Sequence, residues 1–300
     1  MTIEAPAGLR FLSLEITGRC QLSCPSLCYA GSGPTRGHGS MSDDDWARTI
    51  DEAVALGAEE AQLIGGEPTL HPGFVSIAQH ALDAGLRVRV YSNLLRIRDE
   101  HWRLLEHPRV RLATTYHSSV AAEHDEVTGR PGSHTATRAN IVEAIGRGIA
   151  VNVAVLDAGD PERAERARAE LTVPDVHVGR VRAVGNAAGN ALPSTAELCG
   201  RCGDQRATVL PSGEVAVCEI GRFLTAGNVL DTGLAQVLSS SRWAEASASI
   251  PRRTDPTACH PDCQPSNSDS CDPGKNDACD PMGYAPAMTA SPATAVPALP

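Results

Sequence analysis

The placement of ten cysteines constrains this chain more than any other feature. Cys20, Cys24 and Cys28 crowd together near the start, none follows for 170 residues, and the other seven lie between Cys199 and Cys279. A reducing compartment does not sustain a disulfide network, and idle thiols oxidise, so cysteines at this density point to metal. Two metal regions are implied. The opening MTIEAPAGLRFLSLEITGRC has no basic segment followed by an apolar one, and no run approaches the roughly 20 uninterrupted apolar residues of a membrane span. A cytoplasmic protein with no membrane partner is expected.

Between about residue 10 and residue 184, short apolar runs alternate with longer amphipathic stretches, the pattern of repeated βα units around a parallel sheet. Strands are expected over 11–16, 61–64, 86–91, 110–115, 149–156 and 176–184. Helices are expected over 43–56, 74–84, 99–106, 135–147 and 161–171, with Ser42 and Asp160 as starts. Past Gly185 the texture changes: GNAAGNALPS reads as a linker, and cysteines replace apolar periodicity. The closing APAMTASPATAVPALP has nothing to pack. The expected division is a core over 1–190, a cysteine-rich unit over 191–284 and a disordered tail over 285–300.

Three thiolates directly after a predicted first strand, in a loop with Gly18, Pro25 and Gly31, suit a [4Fe-4S] cube that leaves one iron open. Structural zinc takes four ligands, so a zinc site completed by His38 or a distant residue is the alternative. The segment LEITGRCQLSCPSLCYA, with IGGEP over 64–68 at the end of the second predicted strand, resembles the radical S-adenosylmethionine (SAM) superfamily over about residues 10–184. The resemblance implies an α/β fold, a partial (β/α)6 TIM-like barrel. It also implies a [4Fe-4S] cluster on Cys20, Cys24 and Cys28, whose fourth iron is chelated by SAM. An electron from a donor such as flavodoxin or ferredoxin then yields methionine and a 5′-deoxyadenosyl radical. The family's usual spacing is three residues and then two; here Pro25, Ser26 and Leu27 separate the last pair, an insertion the loop is expected to absorb.

Position by position, the resemblance carries SAM contacts to Gly65, Gly66, Glu67 and Pro68, whose small residues let backbone approach the cofactor. Ser92, Asn93 and Thr115, at the ends of the third and fourth predicted strands, are candidates for ribose or carboxylate contacts or for plain strand caps. Asn152, polar within the apolar fifth strand, needs a partner and is a candidate near SAM. Arg130 and Arg182 can pair with the SAM carboxylate or form surface salt bridges. Tyr29 is expected to pack beside the cluster. His117 and Asp125 follow the fourth strand, on the side of a barrel where active sites collect, and are the catalytic acid–base candidates, with solvated loop roles as the alternative.

The later cysteines are Cys199, Cys202, Cys218, Cys259, Cys263, Cys271 and Cys279. Cys202, ten residues, Gly213, four residues and Cys218 resemble the opening of the SPASM extension, which holds auxiliary iron–sulfur clusters. PSGEVAVCEIGRFLTAGNVLD reads as a turn, a strand ending at Cys218 and a turn at Gly227 and Asn228. The wider gaps after Cys259 make the unit SPASM-like. Two cubes want about eight ligands, so seven cysteines imply one or two auxiliary [4Fe-4S] clusters with a position left over. A four-cysteine zinc site, redox work by Cys199 and Cys202, or a spare cysteine donating a hydrogen atom are the alternatives.

The 26 Lys and Arg against 36 Asp and Glu give a net charge of −10, the wrong sign for phosphate backbones, and 3% aromatic residues leave little for base stacking. No nucleic-acid partner is expected. The resemblance implies radical modification of a ribosomally made peptide by cross-linking, epimerisation or a related change. With about ten residues before the first strand, leader recognition is expected from a separate protein or from direct binding. Sulfatase-type protein maturation, action on a small molecule or sugar, and a non-catalytic zinc or iron–sulfur protein are the competing readings.

Overall fold

The computed structural model describes residues 8–173 and 175–251. Cys259, Cys263, Cys271 and Cys279, and the expected tail, lie outside the described residues. Six parallel strands lie side by side in chain order: β1 (Phe11–Thr17), β2 (Glu60–Gly65), β3 (Arg87–Tyr91), β4 (Val110–Tyr116), β5 (Val151–Asp157) and β6 (Asp175–Arg180). Every residue of β1 and β2 is buried, as strands covered on both faces must be. Along β1 the apolar Leu12, Leu14 and Ile16 join Trp46, Ile50, Phe74 and Ile77 in the core. The alternate residues Ser13, Glu15 and Thr17 are buried on the opposite, polar face.

The crossovers are helical: α1 (Asp43–Ala55), α2 (Phe74–Asp83), α3 (Asp99–Leu105), α4 (Ala121–Thr128) and α5 (Ser133–Gly146) between β4 and β5, and α6 (Pro161–Glu170). Both expected starts are N-caps. Ser42 Oγ accepts from Asp45 N at 3.2 Å while the Asp45 carboxylate takes Ser42 N, and Asp160 accepts from Arg163 N at 2.9 Å. Helix α4 was not expected, because AAEHDEVT carries no apolar repeat. The sixth strand stops at Arg180, short of the expected 184.

Beyond β6 the sheet is extended at its other edge. Strand β7 (Arg206–Val209) pairs parallel with β1, and β8 (Glu214–Ala216) and β9 (Thr225–Asn228) follow antiparallel, giving the order β6-β5-β4-β3-β2-β1-β7-β8-β9. The first part of the cysteine-rich unit therefore continues the sheet of the core. Gly213, at φ +84, donates its N–H to Leu210 O at 2.8 Å and forms the expected hairpin turn. The turn expected at Gly227 and Asn228 is instead the end of β9, where Asn228 caps the short α7 (Val229–Thr232) by accepting from Leu230 N at 2.9 Å. Helices α8 (Leu234–Leu238) and α9 (Ser241–Ala248) complete the described chain.

Candidate active site

A cavity of about 850 Å³, counting its open mouth, lies at the carboxyl ends of the barrel strands, and Cys20, Cys24 and Cys28 all line it. The inserted residue has a local explanation. Cys28 N donates to Cys24 O at 3.1 Å, so the two cysteines close one helical turn, with Pro25 at its first position where no donor is required. Residues four apart on a turn share a face, and the longer spacing thus keeps both thiols on one side. Cys24 sits at φ +37, a conformation that non-glycine residues hold only when their surroundings enforce it. Ser23 N and Cys24 N, each donating to Thr128 O at 3.2 Å at the end of α4, supply part of that enforcement.

Two of the three sulfurs accept hydrogen bonds from protein donors. Leu22 N and Asn93 Nδ2 reach Cys20 Sγ at 3.4 and 3.5 Å, and Ser32 N reaches Cys28 Sγ at 3.3 Å. Burial pushes the Cys20 thiol up to about 12 and the Cys24 thiol higher still. Such thiols keep their protons until a cationic centre replaces them. Among the described residues, no three His, Cys, Asp or Glu side chains converge at single-ion distances. A cube, by contrast, spreads three thiolates over three irons.

Gly65 and Gly66 also line the cavity, at the end of β2. Their want of a side chain answers to the protein and not only to a ligand. A Cβ on Gly66 would lie 2.3 Å from Arg19 O and 2.9 Å from Gly18 O, and one on Gly65 2.3 Å from Thr17 O. The glycines let β2 close against the chain that leads into Cys20. Glu67 is fully buried, and its carboxylate accepts from Thr69 Oγ1 at 2.7 Å, Ser92 Oγ at 2.9 Å and Asn93 N at 2.8 Å. It ties the end of β2 to the end of β3. Neither Glu67 nor Pro68 is among the cavity's lining residues, whereas Ser92 and Asn93 are.

The opposite wall comes from β4 and α4. Thr115 shares a 2.8 Å hydrogen bond with Tyr91 OH, and both face the cavity. His117 lines it too, as does His124, which sequence reasoning missed because α4 gave no signal. The two rings stand 5.2 Å apart. Burial, reinforced by His124, pushes His117 down to about 3, and burial pushes His124 down to about 4, so both are neutral at physiological pH. Asp125, paired with His117 as a catalytic candidate, turns the other way. It accepts from Gly132 N, Ser133 Oγ and His134 N at 2.6, 2.9 and 2.8 Å and braces the start of α5.

Three further candidates are not brought to the cavity. Asn152 is the second residue of β5, at the end opposite the site, and donates to Asp175 Oδ2 of β6 at 2.6 Å; the residue of β5 that reaches the cavity is Leu156. A polar residue in an apolar strand had found its partner across the ladder. Arg130 is exposed and donates to Gln21 O at 3.2 Å, on the cysteine loop. Arg182 is buried and donates to Glu197 O, joining the exit of β6 to the approach to Cys199.

The residues present fit a polar ligand beside a cluster. Ser32 Oγ, Tyr29 OH, His117 Nδ1 and His124 Nε2 are buried without hydrogen-bond partners, and all four residues line the same cavity. Unpaired buried polar atoms are rare and costly unless something fills the space between them. Tyr29 lines the cavity with the three cysteines and has the Arg222 guanidinium 6.0 Å over its ring. A second group of thiols stands beyond β7. Cys199, Cys202 and Cys218 are buried, Cys218 Sγ lies 2.9 Å from Cys202 Sγ, and Gly221 N donates to Cys218 Sγ at 3.1 Å.

The family model of the radical SAM superfamily matches residues 14–168, and that of an iron–sulfur cluster-binding domain, SPASM, matches residues 199–264. The chain is similar to PqqA peptide cyclase of Ruegeria pomeroyi, 41% identical over 98 residues, which are 32% of this chain and 23% of the cyclase. It is also similar to AdoMet-dependent heme synthase of Methanosarcina barkeri, 32% identical over 133 residues, 44% of this chain and 38% of the synthase. The chain thus spans well under half the length of these relatives. Its fold is shared with Streptococcus suis SuiB bound to precursor peptide SuiA, at a TM-score of 0.66 and 11% identity, over 80% of this chain and 66% of that one. With the cysteine loop, the parallel barrel and the family match in agreement, the chain belongs to the radical SAM superfamily and carries a SPASM-type iron–sulfur region behind its barrel.

Proposed function

We propose that the chain is a peptide-modifying radical SAM enzyme in which Cys20, Cys24 and Cys28 hold a [4Fe-4S] cluster and the adjoining cavity takes SAM and the target residue. The carrying observation is one cavity walled by three thiols, the Gly65–Gly66 backbone and four buried polar groups without partners. A bound cluster with SAM supplies one-electron cleavage of a carbon–sulfur bond and removal of a hydrogen atom from an unactivated C–H bond. The protein's own part is placement. With a cluster held, the N–H groups of Leu22 and Ser32 and the Asn93 amide would stabilise thiolate charge on Cys20 and Cys28. Ser92, Asn93 and Thr115 offer polar contacts to the cofactor, and Glu67 holds two of them in place. His117 and His124 give and accept hydrogen bonds without adding charge. Leu22, Leu27, Ile64 and Leu156 keep water from the reacting groups.

Cys199, Cys202 and Cys218, with cysteines of 259–279, are read as ligands of one or two auxiliary clusters. The electron donor is a low-potential flavodoxin or ferredoxin, and a separate protein or direct binding recognises the leader. Oxygen-labile clusters favour a reducing compartment such as the cytoplasm. A peptide substrate is supported by the similarity to the PqqA cyclase and by the fold shared with SuiB. The similarity to the heme synthase supports a second reading, a small-molecule substrate. The test is to incubate the reconstituted, reduced chain with SAM and the peptides encoded beside its gene. A mass change in one peptide, matched by methionine and 5′-deoxyadenosine, is expected. Deoxyadenosine formed with every such peptide unchanged and a small metabolite consumed would favour the second reading.

A further inference from the structure

The segment GNAAGNALPS has the composition of a linker, yet its first residues are laid across the cysteine loop. Gly185 adopts φ +61, and a Cβ there would lie 2.4 Å from Cys28 O and 2.2 Å from Tyr29 O. The N–H of Asn186 donates to Cys28 O at 2.8 Å, and its side-chain Nδ2 donates to Cys24 O at 3.1 Å and Ser23 O at 3.4 Å. These carbonyls belong to the turn that contains the inserted residue. Within the loop Cys28 O accepts only the longer bond from Gly31 N, at 3.3 Å, so the Asn186 N–H is its shorter donor and comes from outside the loop. On the other side, Thr128 O takes Ser23 N and Cys24 N. The loop is therefore gripped between the end of α4 and the strand exit of β6, around a cysteine held in a left-handed conformation.

We propose that Gly185 and Asn186 form a positioning clamp that fixes the lengthened Cys24–Cys28 turn and so sets how firmly the cluster is held. This inference rests on the reading of the triplet as cluster ligands. Asn186 reaches main-chain oxygens and no sulfur, so it acts through the loop and is a positioning residue. Gly185 is required for approach: any side chain there would lift the clamp from Cys28.

The experiment uses the full chain reconstituted without oxygen. Two quantities are read: the rate at which iron passes to a ferrous chelator, and the electron paramagnetic resonance spectrum of the reduced protein with and without SAM. The SAM-induced change marks the triplet's cluster apart from C-terminal iron. Asn186→Ala should lose the SAM-responsive cluster about tenfold faster than the wild type, as two lost hydrogen bonds allow. Asn186→Asp keeps the shape but offers no donor, and should lose it at least as fast. Gly185→Val should be faster still, while Leu192→Ser, changed at an exposed site in the same segment, should match the wild type. Release rates and SAM-induced spectra equal to wild type in both Asn186 variants would overturn the clamp and leave the triplet's role standing. A Cys28→Ala variant that keeps the SAM-induced spectrum would overturn the triplet's role, and the clamp with it.

Discussion

Gly66 faces a ligand cavity on one side and the main chain of Gly18 and Arg19 on the other, and the second contact leaves no room for a Cβ. If Gly66 only made room for SAM, a bulky replacement there would weaken cofactor binding and spare the cluster. The structure predicts otherwise. Gly66→Ala should push on the chain leading into Cys20, costing about 1–3 kcal/mol of stability as overpacked sites do, and should lower the iron bound on reconstitution. Thermal denaturation and iron analysis check this, and an unchanged melting temperature with full iron would contradict it. His117 gives a second prediction, from its depressed titration. It is protonated near 6.5 when unfolded and near 3 when folded, so the unfolded chain binds the extra proton between those values. Stability is therefore retained above pH 6.5 and lost as the pH falls below it, by about 2 kcal/mol at pH 5. His117→Gln should flatten the fall in stability between pH 6.5 and 5, measured by chemical denaturation; an identical slope would show that His117 does not titrate as buried.

Among the elements, helix α4 accounts for what the sequence did not disclose about the site. Its eight residues have no apolar stripe, because one side faces the cavity through His124 and its end serves the cysteine loop through Thr128 O. A functional surface replaces the periodic one that sequence patterns detect. The grouping of the cysteine triplet with the glycine pair at one cavity was legible because clustered thiols and close backbone approach each restrict residue type at fixed spacing. Asn152, Arg130 and Arg182 were not placed correctly at the cavity, since a polar residue in a strand or loop shows that it needs a partner and not which one. Asp125 belongs with them. Its three accepted hydrogen bonds act as an N-terminal brace for α5, so Asp125→Ala should cost about 1–2 kcal/mol in thermal unfolding. Deoxyadenosine formation per assembled cluster should stay near that of the wild type. A large loss of turnover with unchanged stability would instead make Asp125 a group that meets substrate.

Across the whole molecule, six parallel strands were foreseeable from alternation alone, with ends misjudged by a few residues: β6 stops at Arg180 although the apolar pattern runs on to Val184, while β1, β2 and β4 continue into polar, glycine or tyrosine positions beyond theirs. The joining of the cysteine-rich unit to the core was not. Strand β7 is only four residues long, and nothing local tells it to pair with β1 across nearly two hundred residues. That pairing attaches the segments that carry Cys199, Cys202 and Cys218, which flank β7 and β8, to the sheet whose first strand leads to Cys20. The central claim is that the triplet, with its inserted residue, is a working cluster site at the mouth of this barrel. The most direct measurement is 5′-deoxyadenosine formed from SAM under anaerobic reduction by the reconstituted wild type and by Cys28→Ala. The wild type should form it, and the variant should form none while losing about one cube of iron and keeping the rest. Normal deoxyadenosine and full iron in Cys28→Ala would contradict the assignment.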